Sequence, residues 1–266
     1  YTKLIGIDPA KNCSARAKIY GIPDVQCGSI VDFDLSLVCD ADLVLVMAVL
    51  EHLVTPKSSI GRLVSGMKVG ARLIIEVPSL ALFDGIKGEP LGELSIEHLQ
   101  FFSLTSLTNL MVGLNLKLVG DYEVELPHAL GALFAIFECT SDAATEFQDG
   151  SSDSVIMKKY VYDSNSKLAL CFEQPIDKSI ILYGAGVHSA RLLPQLAERG
   201  IHVQAIVDGN PNYHGETLGE IEIQHPMVLA DMPDTPVLIS SFRSEAAIKV
   251  FCTERFTNRL ITFYGS

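Results

Sequence analysis

The sequence predicts an α/β fold with two sheets, each built mainly from parallel strands and covered by helices. Short apolar segments with strand character alternate with helical segments along the chain. A polar, acidic stretch over residues 141–154 interrupts this alternation, and a strand–turn–helix pattern starts again near Ser179. We therefore expect a first domain over 1–140, a linker and connecting helix over 141–178, and a second domain over 179–266.

The first domain has regularly spaced strand and helix signals. Strands are expected at 3–7, 41–47, 72–77, 116–124 and 133–139, and helices at 9–20, 55–68 and after residue 103. The strand at 41–47 is apolar except for Asp42, so we expect it to be fully buried. Thr55 and Ser103 stand where helix N-caps belong, and Pro56 suits a first helical position. The last two strands follow each other directly, which favours an antiparallel pair.

The linker and the second domain continue the alternation. Strands are expected at 180–183, 203–207, 237–240 and 260–264, with helices at 155–173 and 187–199. The result is a second, smaller parallel sheet.

Composition excludes several classes of protein. A 48% hydrophobic fraction over 266 residues indicates a globular chain with a core, and no apolar run reaches the ~18 residues of a membrane span. The formal net charge of −12 argues against nucleic-acid partners and anionic membranes. The six cysteines form no CxxC pair, so we expect no metal site and a reducing, cytoplasmic location. The chain starts at Tyr1 without a signal peptide, and we expect a trimmed N-terminus.

An adenosine site is suggested by acidic and apolar segments in the first half. Asp8 ends the first strand, where a carboxylate can accept hydrogen bonds from ribose hydroxyls, although a helix cap is the alternative. Farther on come "DLVLVMAVLEHL" over 42–53 and "GARLIIEVP" over 70–78. In this order the segments resemble class I S-adenosylmethionine-dependent methyltransferases, over about residues 3–139.

That resemblance implies S-adenosylmethionine as the cofactor and places its contacts. Asp8 would hold the ribose, Met47 and Ala48 would line the methionine part, and Glu51 and His52 would follow in the cofactor site. For His52 a structural hydrogen bond is the alternative. The family's first strand and its glycine-rich loop have no counterpart before Asp8, so the resemblance implies a sheet that lacks its first strand.

A second Glu-His pair lies in "SIEHLQFFS" over 95–103. This segment resembles the "YxEHxxYFS" segment of sugar C-methyltransferases, which implies that His98 and Glu97 are catalytic. Ser95 and Phe101 replace the two tyrosines of that pattern, which weakens the case for methylation at carbon. A purely structural role of His98 in the loop is the alternative.

The second domain opens with "ILYGAGVHSA" over 181–190, a strand followed by a Gly-x-Gly turn and a helix start. With Asp208 at the end of the next strand, this pattern predicts a Rossmann-like fold. The segment also resembles the C-terminal domain of sugar C-methyltransferases and the nucleotide-sugar domain of sugar acetyltransferases. The resemblance implies a nucleotide or nucleotide-sugar site at Gly184, Gly186, His188 and Asp208, with a structural role for His188 equally open.

Together these patterns predict two Rossmann-like domains and an enzyme that transfers a methyl group from S-adenosylmethionine to a small polar acceptor. A nucleotide-linked sugar, in polysaccharide or natural-product biosynthesis, would be such an acceptor. The alternative is a non-catalytic nucleotide-sugar-binding or scaffold module with a degenerate methyltransferase half. A dehydrogenase-like role of the second domain is a distant third, and a homodimer stays open.

Overall fold

The computed structural model describes residues 3–22, 24–83, 88–95, 97–125, 131–142 and 144–265. The predicted chain start at Tyr1 and Ile96 of the second Glu-His segment lie outside these ranges. The chain forms two compact units, Tyr1–Gly85 with Ile96–Lys159, and Ile86–Ser95 with Tyr160–Ser266. This division into units does not test the domain boundaries expected from the sequence, which therefore remain a prediction.

The first unit contains two separate sheets among the described residues. Strands β1 (Gly6–Asp8) and β2 (Val25–Cys27) are parallel and flank helix α1 (Cys13–Ile19). The larger sheet has the order β3-β4-β6-β5. Its strands are β3 (Leu43–Met47), β4 (Arg72–Pro78), β5 (Leu116–Val124) and β6 (Ala132–Cys139). β3 and β4 are parallel, whereas β6 is antiparallel to both neighbours, as the sequence predicts for β5 and β6.

Helices α2 (Pro56–Gly66) and α3 (Leu104–Met111) belong to the same unit. The predicted cap at Ser103 is confirmed, because its hydroxyl accepts the Ser106 N–H at 3.1 Å and forms a reciprocal capping box. Thr55 occupies the predicted N-cap position and Pro56 begins the helix as predicted, but the Thr55 side chain makes no capping hydrogen bond.

The burial predicted for β3 is also wrong. Leu43, Leu45 and Met47 alternate onto one face of the strand and are 38%, 56% and 42% exposed, and Val46 alone is buried. Among the described residues β3 pairs with β4 only, so it is an edge strand rather than a central one. The apolar composition of the strand cannot reveal which of its sides has a neighbour.

The second unit is built around a six-stranded sheet of order β12-β11-β7-β8-β10-β9. Its strands are β7 (Ser179–Tyr183), β8 (His202–Val207), β9 (Thr217–Leu218), β10 (Ile221–Gln224), β11 (Val237–Ile239) and β12 (Leu260–Thr262). All neighbours are parallel except β9 and β10. The sheet is therefore larger than the first unit's main sheet, contrary to the prediction of a smaller one.

Helix α4 (Ser151–Cys171) has residues in both units. Helices α5 (Val187–Glu198) and α6 (Glu245–Arg255) belong to the second unit. Helix α4 begins inside the predicted linker, because the carboxylate of Asp149 accepts the Ser151 N–H at 2.9 Å and so caps the first turn. None of the helices in the described ranges has both the length and the apolar character needed to cross a membrane.

Candidate functional site

The carboxyl end of β3 leads into a strained turn. Met47 pairs with Glu76 of β4, and the next N–H, that of Ala48, donates to the Glu76 carbonyl at 3.1 Å. Ala48 then has φ of +51°, a left-handed conformation that costs a non-glycine residue about 1–2 kcal/mol. A short 3-10 turn, Leu50–His52, follows and is anchored by the completely buried side chain of Leu50. This local geometry determines where Glu51 and His52 lie.

Glu51 is a buried carboxylate. Its side chain is 3% exposed, and its Oε2 has no hydrogen-bond partner among the described residues. Its Oε1 lies 3.7 Å from Nε2 of His52. Burial raises the pKa of the Glu51 carboxyl above its ordinary value. A buried carboxylate without a full set of hydrogen bonds lowers the stability of the fold. Such a residue is therefore a candidate for a functional role.

Backbone hydrogen bonds hold the two Glu-His pairs of the sequence together. The Glu51 carbonyl accepts the N–H groups of Leu99 at 2.7 Å and Gln100 at 3.0 Å. Nδ1 of His52 lies 2.8 Å from the Glu97 carbonyl oxygen. Segments that are distant in the sequence therefore form one rigid corner.

His98 completes this corner. Its ring centroid lies 5.2 Å from that of His52, and ligand-type atoms of Glu51, His52 and His98 all lie within 4.8 Å of one another. We call these three residues the Glu51 cluster. Glu97, the other predicted catalytic residue, is exposed and contributes its backbone carbonyl to the contact with His52.

The remaining predicted cofactor contacts lie at strand ends of the same unit. Asp8 ends β1, and its Oδ1 accepts the Ala10 N–H at 2.7 Å, the kind of local contact expected of a cap. Met47 and Ala48 are exposed at the end of β3. All three residues lie at the carboxyl ends of parallel strands, where ligands of such sheets bind.

In the second unit, the Gly-x-Gly turn connects β7 to α5. Gly184 has φ of +112°, and a Cβ built on it would lie 2.7 Å from the Ser240 carbonyl oxygen. A Cβ on Gly186 would meet nothing within 4 Å. The first glycine is thus required by close approach of the backbone after β11, while the second faces open space at the start of α5.

The other two predicted residues of this turn are engaged within the protein. Asp208 accepts the N–H groups of Ala185 at 2.8 Å and Asn210 at 2.7 Å, one with each carboxylate oxygen. Both ring nitrogens of His188 pair with hydroxyls, Nδ1 with Ser240 at 2.9 Å and Nε2 with Tyr264. Burial lowers the pKa of His188 to about 4, so the ring is neutral near pH 7.

A polar group in the second unit is not apparent from the sequence. Arg191 of α5 lies 3.4 Å from Glu89 and donates to the Leu94 carbonyl at 2.6 Å. The Glu93 N–H donates to the hydroxyl of Tyr160 at 3.0 Å. In the sequence, two glutamates four residues apart, Glu89 and Glu93, are the one signal of this polar group. Short acidic segments are usually exposed to solvent, so this signal does not predict a buried group.

Glu93 makes a prediction about pH possible. Burial raises the pKa of its carboxyl to about 7, and Glu89 adds to the rise while Arg243 opposes it. In the unfolded chain the Glu93 carboxyl loses its proton at lower pH than in the native state. Between the unfolded and the native pKa, the native state therefore binds more protons than the unfolded state does. The free energy of unfolding consequently falls as the pH rises toward about 7. We expect Glu93→Gln to melt higher than the parent at pH 8 and to lose this advantage at pH 4.

Thermal melts at both pH values would check this, with the exposed Glu220→Gln as a matched control. A difference between Glu93→Gln and the parent that is the same at both pH values would contradict the raised pKa.

The fold and site define an α/β protein with mixed sheets and a carboxylate–imidazole cluster at a strand end. No protein-family model and no curated protein matches the chain. Its structural neighbours include a provisionally classed S-adenosylmethionine-dependent methyltransferase from Listeria monocytogenes, with 14% identity and a TM-score of 0.41, covering 52% of this chain and 81% of that one.

Two further neighbours have S-adenosylhomocysteine bound. They are the 1,6-didemethyltoxoflavin-N1-methyltransferase of Burkholderia thailandensis (16% identity, TM-score 0.40, 51% of this chain and 60% of that one) and the N-methyltransferase NodS of Bradyrhizobium japonicum (17%, 0.38, 50% and 64%). These likenesses each extend over about half of the present chain.

Proposed function

We propose that the first unit takes part in methyl transfer from S-adenosylmethionine to a small polar acceptor. The Glu51 cluster at the carboxyl end of β3 is the observation that carries this proposal. It combines a buried carboxylate and two imidazoles beside a strand end, and the candidate ribose ligand Asp8 ends another strand of the same unit. Such strand ends are where α/β sheets bind ligands.

The cofactor contacts in this proposal are Asp8, Met47 and Ala48. Asp8 uses one carboxylate oxygen for Ala10, and its second oxygen can accept from a ribose hydroxyl. Met47 and Ala48 are exposed at the end of β3 and offer an apolar wall to the methionine part. Glu51 and His52 contact the segment that carries His98. We therefore propose that these two residues act on the methyl acceptor rather than bind the cofactor.

In the transfer, a bond forms between the acceptor atom and the methyl carbon while the bond from that carbon to sulfur breaks. The electron pair of the broken bond stays on sulfur, which yields neutral S-adenosylhomocysteine. The proton of the acceptor must leave as well, and we place its loss at the Glu51 cluster, with His98 as the predicted catalytic residue and Glu97 beside it. Proximity of the two substrates supplies much of the rate.

We propose a nucleotide-linked sugar as the ligand of the second unit. The open space around Gly186 at the start of α5 supports this, because helix N-termini favour anionic groups. Gly184 and Asp208 would hold the turn in shape, and His188 would fix it against Ser240.

Binding of S-adenosylhomocysteine tests the cofactor proposal. We expect the full-length gene product to bind it in a calorimetric titration, and Asp8→Ala to bind it roughly tenfold to hundredfold more weakly. A hydrogen bond to a charged group contributes about 1.5–3 kcal/mol, and ~1.4 kcal/mol corresponds to a factor of ten.

His98→Ala is the matched control, with folding checked by circular dichroism, and it should keep the parent affinity. A folded protein that releases no heat with S-adenosylhomocysteine would contradict the proposal. That result would favour the scaffold alternative.

A further inference from the structure

We propose that Glu51, His52 and His98 form a binding site for a divalent transition-metal ion of the Zn²⁺ type. The site stands on the geometry of the first unit and requires no assumption about methyl transfer. It gives these residues a role different from the separate cofactor and catalytic roles that the sequence predicts.

The donor set is the first argument. One carboxylate and two imidazoles are a common ligand combination of catalytic zinc and of non-haem iron, and they leave a coordination position open. Two atoms bound tetrahedrally to one zinc ion lie roughly 3.3 Å apart, given metal–ligand distances of about 2.0–2.1 Å. The atoms of the cluster lie within 4.8 Å of one another, so the side chains must move closer together when the ion binds.

The second argument is the unpartnered oxygen of Glu51. Its side chain is 3% exposed, yet Oε2 has no hydrogen-bond partner among the described residues. Leaving a buried acceptor unsatisfied destabilises the fold, and more so when the acceptor is charged. A cation bound between this oxygen and the two imidazoles would supply the missing partner and offset that cost.

The third argument is the orientation of His52. Its Nδ1 lies 2.8 Å from the Glu97 carbonyl, and a carbonyl oxygen can only accept a hydrogen bond. Nδ1 therefore carries the proton, and the lone pair is on Nε2, the atom that lies near Glu51. Histidines that bind metal ions usually donate their second ring N–H to a carbonyl or carboxylate in this way.

The fourth argument is preorganisation. The Glu51 carbonyl accepts two N–H groups, from Leu99 and Gln100, and the Gln100 side chain donates to the Leu53 carbonyl at 3.3 Å. These contacts fix the segment that carries His98 against the turn that carries the other two ligands. A site held by its surroundings loses little freedom when the ion binds.

Two imidazole nitrogens also indicate which ion. Mg²⁺ and Ca²⁺ prefer oxygen ligands throughout, whereas zinc and its neighbours accept imidazole readily. If the proposed methyl transfer is correct, and this step rests on it, an acceptor hydroxyl at the open position would lose its proton to water more easily. His98 would then be a ligand that positions the ion, and in the metal-loaded protein the acceptor proton would pass to water rather than to His98.

Calorimetric titration of the full chain with Zn²⁺ tests the site. The parent for all variants carries Cys27→Ser and Cys39→Ser, because the exposed thiols of Cys27 and Cys39 are competing zinc ligands. We expect the parent to bind one ion per chain, and Glu51→Gln and His98→Ala each to lose that binding. His202→Ala replaces an exposed histidine of β8 and should bind as the parent does. Mg²⁺ should give no saturable binding.

Two outcomes would overturn the proposal: a folded parent with no saturable Zn²⁺ binding, or Glu51→Gln and His98→Ala that bind one ion like the parent. If Glu51→Gln does not fold, as judged by circular dichroism, His52→Ala at the exposed ligand replaces it and must lose the ion. Zinc binding without any binding of S-adenosylhomocysteine would sink the proposed function and leave the metal site standing.

Discussion

Replacing Glu51 with methionine is expected to raise the free energy of unfolding by about 2 kcal/mol when metal ions are removed by a chelator. The substitution eliminates a buried carboxylate whose Oε2 has no partner among the described residues, and such a group costs about 1–3 kcal/mol. Methionine has a similar length and adapts its shape, so we expect little loss of packing. The midpoint of thermal or urea unfolding of the full chain would measure the gain.

Glu146→Met is the control, because Glu146 is exposed and its replacement should leave the midpoint nearly unchanged. A lower midpoint for Glu51→Met would show that the carboxylate is well satisfied in the metal-free protein. The argument from the unpartnered oxygen would then fail. A stabilising substitution that removes a ligand is the trade-off expected of residues kept for function rather than for stability.

Gly184→Ala is expected to destabilise the second unit by about 3 kcal/mol. A side chain at φ of +112° is strained, which costs on the order of 1–3 kcal/mol. In addition, the new Cβ would lie 2.7 Å from the Ser240 carbonyl oxygen, a backbone atom that can move only with β11. Overpacking of this kind costs typically 1–3 kcal/mol more. Chemical denaturation followed by circular dichroism would measure the loss.

Gly186→Ala provides a matched comparison two residues away. Its φ is −81° and its Cβ would meet nothing within 4 Å, so we expect a change within ~0.5 kcal/mol. Equal losses for the two variants would contradict the assignment of Gly184 as the structurally required glycine. The comparison also distinguishes an effect on stability from an effect on ligand binding. Gly184 is needed for the backbone conformation, whereas the open space at Gly186 is where we propose that an anionic group binds.

Much of the secondary structure follows from local sequence signals. β4 ends at Pro78, α3 begins after Ser103, and β7 leads into Gly184 close to where apolar periodicity, capping and glycine chemistry predict. The strand β2 escapes prediction because three residues are too few to show a period, and helix α6 escapes it because its segment is only weakly amphipathic. Local sequence signals thus predict where an element begins or ends when proline, glycine or a capping residue restricts the backbone conformation there.

The candidate site is only half visible in the sequence. Both Glu-His pairs are recognisable, and the resemblance assigns them to different tasks, one to the cofactor and one to catalysis. No spacing rule combines Glu51, His52 and His98 into one ligand set, because the ligands lie on two distant segments of the chain. The prediction of no metal site rests on cysteine spacing alone, and this cannot detect a set of imidazoles and a carboxylate.

By itself, the sequence determined the α/β class, most strand and helix positions, the cap at Ser103 and the residues of the Gly-x-Gly turn. Tertiary structure alone decided that, within the described residues, β3 is an edge strand and Oε2 of the buried Glu51 has no partner, and that His98 lies beside His52. The physical reason is range: turns, caps and periodicity depend on neighbours within a few residues. Burial and ligand geometry depend on which distant segments pack together.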